Sequence, residues 1–422
     1  MSETGKIAVV ILENAVETYE AQTQLANRIS VFKPNSAEMQ NAGNVMYRTV
    51  QQHAPVIEGW DMNGKFTDII EETCPIMLGE PVNDAVSQRV DDMRDMGFWT
   101  RRGIESGRRQ VSELNKRIAQ LVVDTGSLYY RSNTVSGFDF ISEAQTIKNE
   151  RQSSNDDWTM LLNDRSTQKY SSDLAGRQTL QGRPESEAWA KGQIGSNVAG
   201  FDVFTGSFLP KLAGGAITAT TTTAALSFKP TGGTVDAASG VVTNTDYRKA
   251  TIPVVASAAY SVGMKVTIGD LKAVGLADKT VTDQAMTFTI AAIPDSTSVV
   301  VYPKPIALDD AALSTLEKAY ANVDTTIASG DAVNVVNLDA NAQTNIFWAK
   351  DSIEVIGGEI PANLLQEFDG KKVITKAMSN GQVMYCVYDG NIVDMTLRYR
   401  LFTWYGLANL NPMANGVAVS YS

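Results

Sequence analysis

Residues 217–275 read ITATTTTAALSFKPTGGTVDAASGVVTNTDYRKATIPVVASAAYSVGMKVTIGDLKAVG, a stretch dominated by Thr, Val, Ala and Gly. The change of composition extends from about Leu212 to about Ser329 and includes none of the six Trp and not the single histidine, His53. Strand-length runs at Ala250–Ala256, Lys265–Ile268, Met286–Ile290 and Ser298–Tyr302 are separated by Gly, Asp and Pro turn signals. That pattern describes a compact all-β barrel or sandwich rather than a linker. A closed β module spliced into another domain means that the host must be read from both flanks together.

Working outward on the N-terminal side, Val9, Leu12, Val16, Tyr19, Leu25 and Ile29 recur mostly at helical spacing, with Glu13, Glu17 and Glu20 among them. The spacing predicts an acidic amphipathic arm ended by Pro34. Val45–Val50 reads as a strand, and the following segment has two strand-like limbs around Asn63-Gly64, the signature of a long hairpin loop. From Asp84 to Tyr130 the apolar positions Ile104, Val111, Leu114, Ile118, Leu121 and Val122 form one stripe, which predicts a long helix. Its Arg101, Arg102, Arg108, Arg109, Lys116 and Arg117 are interleaved with Glu105 and Glu113, so a salt-bridged, solvated face outweighs a nucleic-acid patch. Gly103 and Gly107 cost about 1 kcal/mol each in a helix interior. They imply a bend, the close approach of another chain, or a helix that starts after Gly107.

On the C-terminal side ALSTLEKAY predicts a short helix, with Asp309-Asp310 as its cap, and VNVVNL a strand. A meander closes the chain: Lys372–Met378, a turn at Asn380-Gly381, Gln382–Tyr388, a turn at Asp389-Gly390, and Ile392–Leu401.

The chain of 422 residues is 43% hydrophobic and 20% charged, ordinary for a folded protein with two or three cores. Its net charge of −11 argues against a main task of gripping nucleic acid, which relies on Lys and Arg at phosphates. Cys74 and Cys386, the only two thiols, are too few for a disulfide framework and favour a reducing compartment as ordinary half-buried thiols. The apolar run Ala8–Leu12 is broken by Glu13 and makes no signal peptide, and no run spans a bilayer. Asn-x-Ser/Thr sequons are also absent.

Catalytic signatures are missing. The sequence has no phosphate loop, no Gly-x-Ser-x-Gly, no His-Glu-x-x-His and no Cys-x-x-Cys. His53 reads as an exposed, non-catalytic residue of the hairpin. The acid pairs Asp91-Asp92, Asp156-Asp157 and Asp309-Asp310 consist of chain neighbours, which rarely face each other as a two-carboxylate site must. No catalytic residue, metal ligand or cofactor is expected. A secreted or surface β-rich binding module without catalysis is the competing class, supported by the Thr-rich barrel alone.

The order of parts resembles the major coat protein of the lambdoid short-tailed bacteriophages. The resemblance is carried by EGWD at Glu58–Asp61, GEP-x-ND at Gly79–Asp84, R-x-DD-x-RD at Arg89–Asp95 and AGFD at Ala199–Asp202. It continues with PKP-x-ALDD at Pro303–Asp310, AYANV at Ala319–Val323, FWA at Phe347–Ala349, IPAN at Ile360–Asn363 and WYG at Trp404–Gly406. It implies the α+β capsid fold of tailed phages and herpesviruses, with an inserted all-β barrel. Under it the chain divides into an N-terminal arm (1–33), a peripheral domain with a spine helix (34–50 and 76–133) and an extended loop (51–75). An axial domain (134–215 and 334–422) and the barrel (216–333) complete the division.

The resemblance further implies pentamers and hexamers of an icosahedral shell, built around a scaffolding protein in the host cytoplasm, with a portal protein and non-specifically enclosed double-stranded DNA. Glu13 and Glu17 match acids that bind the scaffold. The arm and the long hairpin lack enough local core, so Val9 and Leu12 in the arm and Val56, Ile57, Trp60, Phe66, Ile69 and Ile70 in the loop are expected to need a partner surface, with Trp60 and Phe66 contacting a neighbouring subunit. In relatives an Asp-bearing barrel loop reaches across two-fold axes. Here the matching tip, DAASGVVTNTDYRKAT, keeps only Asp236, Asp246, Arg248 and Lys249 charged, and the last three are the contact candidates. Residues 153–195 depart from the family pattern.

Overall fold

Alternating burial along Thr396–Thr403 turns Leu397, Tyr399 and Leu401 to one face, as a half-covered strand requires. In the computed structural model this strand lies between Val383–Asn391 and Val82–Arg89, and Lys372–Ala377 completes an antiparallel sheet of four. The structure describes residues 3–23, 25–34, 45–50, 53–66, 69–70, 72–89, 96–133, 137–152, 157–176, 193–215, 217–231, 246–360, 372–391, 393 and 395–420. Two compact units make up the chain, the first comprising Met1–Met46, Ile76–Ile118 and Ile353–Ala408 and the second the remainder.

In the first unit, helix α1 (Glu3–Gln22) packs on the four-stranded sheet. Ala8, Ile11, Leu12, Ala15, Val16 and Tyr19 are all buried by their own chain, which corrects the expectation that Leu12 in the arm needs a partner surface. The Tyr19 hydroxyl donates to Gln382 Oε1 at 2.6 Å, and Glu20 accepts from the Ser379 amide at 2.7 Å. Helix α2 (Met96–Thr125) begins later than the stripe suggested, because Val82–Arg89 joins the sheet in full register with Thr396–Thr403. It runs unbroken through both glycines. A Cβ on Gly103 would lie 2.7 Å from the Ile11 carbonyl oxygen and one on Gly107 2.5 Å from that of Ala15, so the glycines admit α1 of the same chain.

The Arg face of α2 carries the expected pairs, Arg109 to Glu105 and Arg117 to Glu113, each at 3.1 Å. Arg102 turns inward and donates to both Asp84 oxygens, at 2.9 and 3.1 Å. The Asp389-Gly390 turn is absent. Those residues continue the strand Val383–Asn391, paired with Arg398 and Leu397.

In the second unit a mixed sheet runs in the order Leu128–Ser132, Asn415–Ser420, Gln343–Ala349, Trp158–Leu162, Phe201–Thr205, Gln193–Val198. Helix α3 (Gly137–Arg151) and the sheet enclose a core in which the Trp158 ring meets Phe201 and Phe347 at 5.7 and 6.3 Å. Within the divergent stretch lie the strand Trp158–Leu162 and helix α4 (Asp164–Gly176), while 177–192 fall outside the described residues.

The Thr-rich stretch forms an antiparallel sheet of six in the order Ala250–Pro253, Ser298–Tyr302, Phe288–Asp295, Lys265–Ile268, Ala332–Val335, Thr220–Thr221. Its first and last strands meet through the Thr222–Val254 bridge and the bond from the Val255 amide to the Thr221 carbonyl at 3.0 Å. The sheet thus closes around a core that includes Ile252, Val266, Phe288, Val299 and Val301. The strand Ala332–Val335 runs past residue 333, where the sequence placed the module's end. The short helix is only Thr315–Lys318, and its cap is Ser314 in a capping box with Glu317. Asp310 instead accepts from the Ser227 hydroxyl and from the Ala312 amide.

Candidate functional site

Three features carry the sequence-predicted contact residues: the 51–75 loop, the outer face of α1 and the segment 246–249. At the root of the loop Val45–Thr49 pairs with Thr73–Met77, and the Val50 amide donates to the Glu72 carbonyl at 2.9 Å. Beyond that point the described residues of both limbs form no ladder, contrary to the expected hairpin. Tyr320 holds the limbs instead. Its hydroxyl accepts from the His53 amide at 3.1 Å and donates to the Ile70 carbonyl at 2.7 Å, while the His53 ring stands edge-on to its own at 5.2 Å.

At the tip, Asn63 N–H donates to Asp61 Oδ1 at 2.9 Å and Lys65 N–H to the Met62 carbonyl at 3.1 Å. This local turn leaves Trp60 fully exposed (105%), with Phe66 at 89% and Val56 at 88%. So much apolar surface at one tip is costly to leave in water.

On α1, Glu13 and Glu17 stand exposed on the face opposite the buried stripe. They sit one helical turn apart, where like charges repel by a few tenths of a kcal/mol. In the 246–249 segment two of the three expected outward charges, Asp246 and Arg248, face inward. Arg248 donates to Asp246 at 3.0 Å, to the carbonyls of Asn409 and Leu410 at 2.6 and 3.2 Å, and to Cys74 Sγ at 2.9 Å, with its guanidinium over the Tyr302 ring. Burial works against ionisation of Asp246, but Arg248 and Lys249 outweigh it and hold its carboxyl below the usual range. Both side chains are thus engaged inside the chain, and Lys249 alone of the three is substantially exposed, at 38%.

A cleft between the loop root and the barrel is lined by His53, Glu72, Arg248, Lys304, Tyr320 and Asn322. His53 is half-buried rather than exposed, and both cysteines are fully buried rather than half-buried. Burial, reinforced by Lys279, lowers His53 to about 4, and burial pushes Glu72 up to about 7 against Lys304 and Arg248.

Two residues gave no signal in the sequence. Tyr320 hid in an ordinary short-helix pattern. Lys265, at an alternating strand position, is wholly buried and donates to the Val123 carbonyl at 2.7 Å, to the Gly126 carbonyl and to Thr289 Oγ1 at 2.8 Å. It satisfies the carbonyls that the end of α2 leaves over.

Among the described residues no cluster of His, Cys, Asp and Glu could hold a metal, and no helix is long and apolar enough to cross a membrane. Among the described residues the site is thus an exposed apolar loop tip with no metal cluster beside it. The chain belongs to the P22 coat protein family, gene protein 5, whose pattern matches residues 1–420. It is therefore a phage coat subunit of the virion shell and not an enzyme, and the reading as a secreted binding module falls.

Among solved structures, the capsid of cyanophage P-SCSP1u is 8% identical over 95% of this chain and 88% of its own, with a TM-score of 0.47. A chain of Mycobacterium phage Che8 is 11% identical over 94% and 91%, with a TM-score of 0.43. The coat protein I-domain of CUS-3 is 27% identical over 29% of this chain and 99% of its own, with a TM-score of 0.22. At these scores the structural likeness adds nothing to the family match.

Proposed function

We propose that this coat subunit forms the pentamers and hexamers of an icosahedral head, assembled in the bacterial cytoplasm around a scaffolding protein and a portal, and that the shell then encloses double-stranded DNA. The observation that carries the reading is the exposed apolar tip of the 51–75 loop, with Trp60 and Phe66 as its anchors on a neighbouring subunit. Lys249 is a subsidiary contact at the shell surface. Contact with DNA is non-specific, in keeping with the net charge of −11.

The scaffold's basic segment docks on Glu13 and Glu17. Their carboxylates repel each other on a helix whose other face is fixed, so a cationic partner relieves a strain already present. Co-expression with the cognate scaffolding protein tests this. Glu13→Lys with Glu17→Lys is expected to yield shells depleted of scaffold while the purified subunit unfolds as wild type does. Unchanged scaffold content would refute the docking, and discrete monomers from the wild-type pair of proteins would refute the shell.

A further inference from the structure

Three Asn-Gly pairs occur in the sequence, at Asn63-Gly64, Asn380-Gly381 and Asn415-Gly416. Such pairs share one chemical weakness, because glycine's lack of a side chain lets its backbone nitrogen approach the side-chain amide carbon of the preceding asparagine. The approach requires an unrestrained asparagine amide and a glycine N–H not engaged in a hydrogen bond.

Two of the pairs are locked. At Asn415, which is fully buried, the side chain donates to Asn409 Oδ1 at 2.8 Å and to the Asn411 carbonyl at 2.9 Å. Its oxygen accepts from Asn409 at 3.0 Å, and Gly416 lies in the ladder between Leu128 and Phe347. At Asn380 the oxygen accepts from the Gln382 amide at 3.2 Å and the NH2 group donates to Gln382 Oε1 at 3.1 Å. The Gly381 amide is also held, donating to the Met378 carbonyl at 3.0 Å.

Asn63 differs on every count. It and Gly64 are exposed, and a Cβ placed on Gly64 would meet nothing within 4 Å. Among the described residues neither the Asn63 side chain nor the Gly64 N–H makes a hydrogen bond; only the Asn63 backbone N–H is held, by Asp61.

We propose that Asn63 is a site of spontaneous deamidation in the free subunit. The Gly64 nitrogen, losing its proton to solvent base, forms a bond to Asn63 Cγ. The Cγ–Nδ2 bond breaks, the nitrogen takes up a proton, and ammonia leaves. Water then opens the resulting succinimide at either carbonyl, giving aspartate or isoaspartate with no change of oxidation state. Either product places a new carboxylate near Asp61, in the tip that carries Trp60, and the iso product adds a methylene to the backbone of the turn. On the reading of this loop as a subunit contact, aged subunits assemble less well than fresh ones.

The experiment is peptide mass mapping of the full-length subunit incubated at mildly alkaline pH, native and in urea. Native protein is expected to convert at Asn63 severalfold faster than at Asn380 or Asn415, the three rates are expected to converge in urea, and Asn63→Gln is expected to abolish conversion at that position. Protection of Asn63 equal to that of the other two in the native subunit would overturn the proposal. Assembly of incubated wild type against incubated Asn63→Gln is the second measurement. Equal assembly despite conversion would leave the modification standing and count against the loop contact alone.

Discussion

Glu72 and His53 face one cleft, and burial shifts them so that their contributions to stability run in opposite directions with pH. Between 4.5 and about 7 the folded chain keeps a proton on Glu72 that the unfolded chain has lost, so this residue's contribution is lost as pH rises through that window. For His53 the unfolded chain binds the extra proton between about 4 and 6.5, and its contribution grows with pH. Urea unfolding of the subunit across this range is expected to show Glu72→Gln gaining on wild type as pH rises toward 7. His53→Gln is expected to gain on wild type as pH falls toward 4. A constant difference at all pH values would contradict either assignment. None of this was legible in the sequence, where His53 sits among polar loop residues: its burial comes from Tyr320, which lies 267 positions away.

At the scale of elements, local signals were readable where no competing partner existed and failed where one did. The helical spacing of α1 and the strands of the barrel could be read, because a buried face imposes its period on the residues. The Asp389-Gly390 pair suits a tight turn by itself, yet ladder bonds to Leu397 and Arg398 keep it extended. Asp309-Asp310 lost its capping role to the Ser314–Glu317 box, which satisfies two amides reciprocally. What Gly103 and Gly107 admit could not be decided without knowing where α1 lies.

That close approach gives a prediction of inverted sign. Gly→Ala in an open helix gains about 1 kcal/mol. Here the added methyl must displace the α1 backbone, and overpacking of this kind costs about 1–3 kcal/mol. Gly107→Ala is expected to lower the urea midpoint, and a raised midpoint would show that α1 yields freely.

The barrel offers a second test. Its closure and its own core support independent folding, but the strand Ala332–Val335 must be included, since Val335 pairs with Val266. A fragment of residues 212–337 is expected to unfold cooperatively with a β-type spectrum, and one ending at 333 to be less stable. Loss of structure in both would mean that the barrel depends on the contacts Lys265 makes beyond it, at Val123 and Gly126.

For the whole molecule, the role of the 51–75 loop turns on how stability divides between subunit and shell. A fully exposed indole contributes nothing to the core of the subunit that carries it, so its removal is expected to leave the subunit's unfolding curve unchanged. Buried against a neighbour, the same side chain is an anchor whose truncation costs about 2 kcal/mol or more at one contact. Repetition compounds that loss, because every copy in a symmetric shell makes the same contact. Trp60→Ala is therefore expected to yield a normally folded subunit that assembles poorly or forms shells that dissociate at lower denaturant. Electron microscopy and light scattering read the assembly, and circular dichroism in urea reads the subunit. A variant that assembles into shells as durable as wild type would remove Trp60 from the contact and leave Phe66 and Val56 to account for the exposed tip.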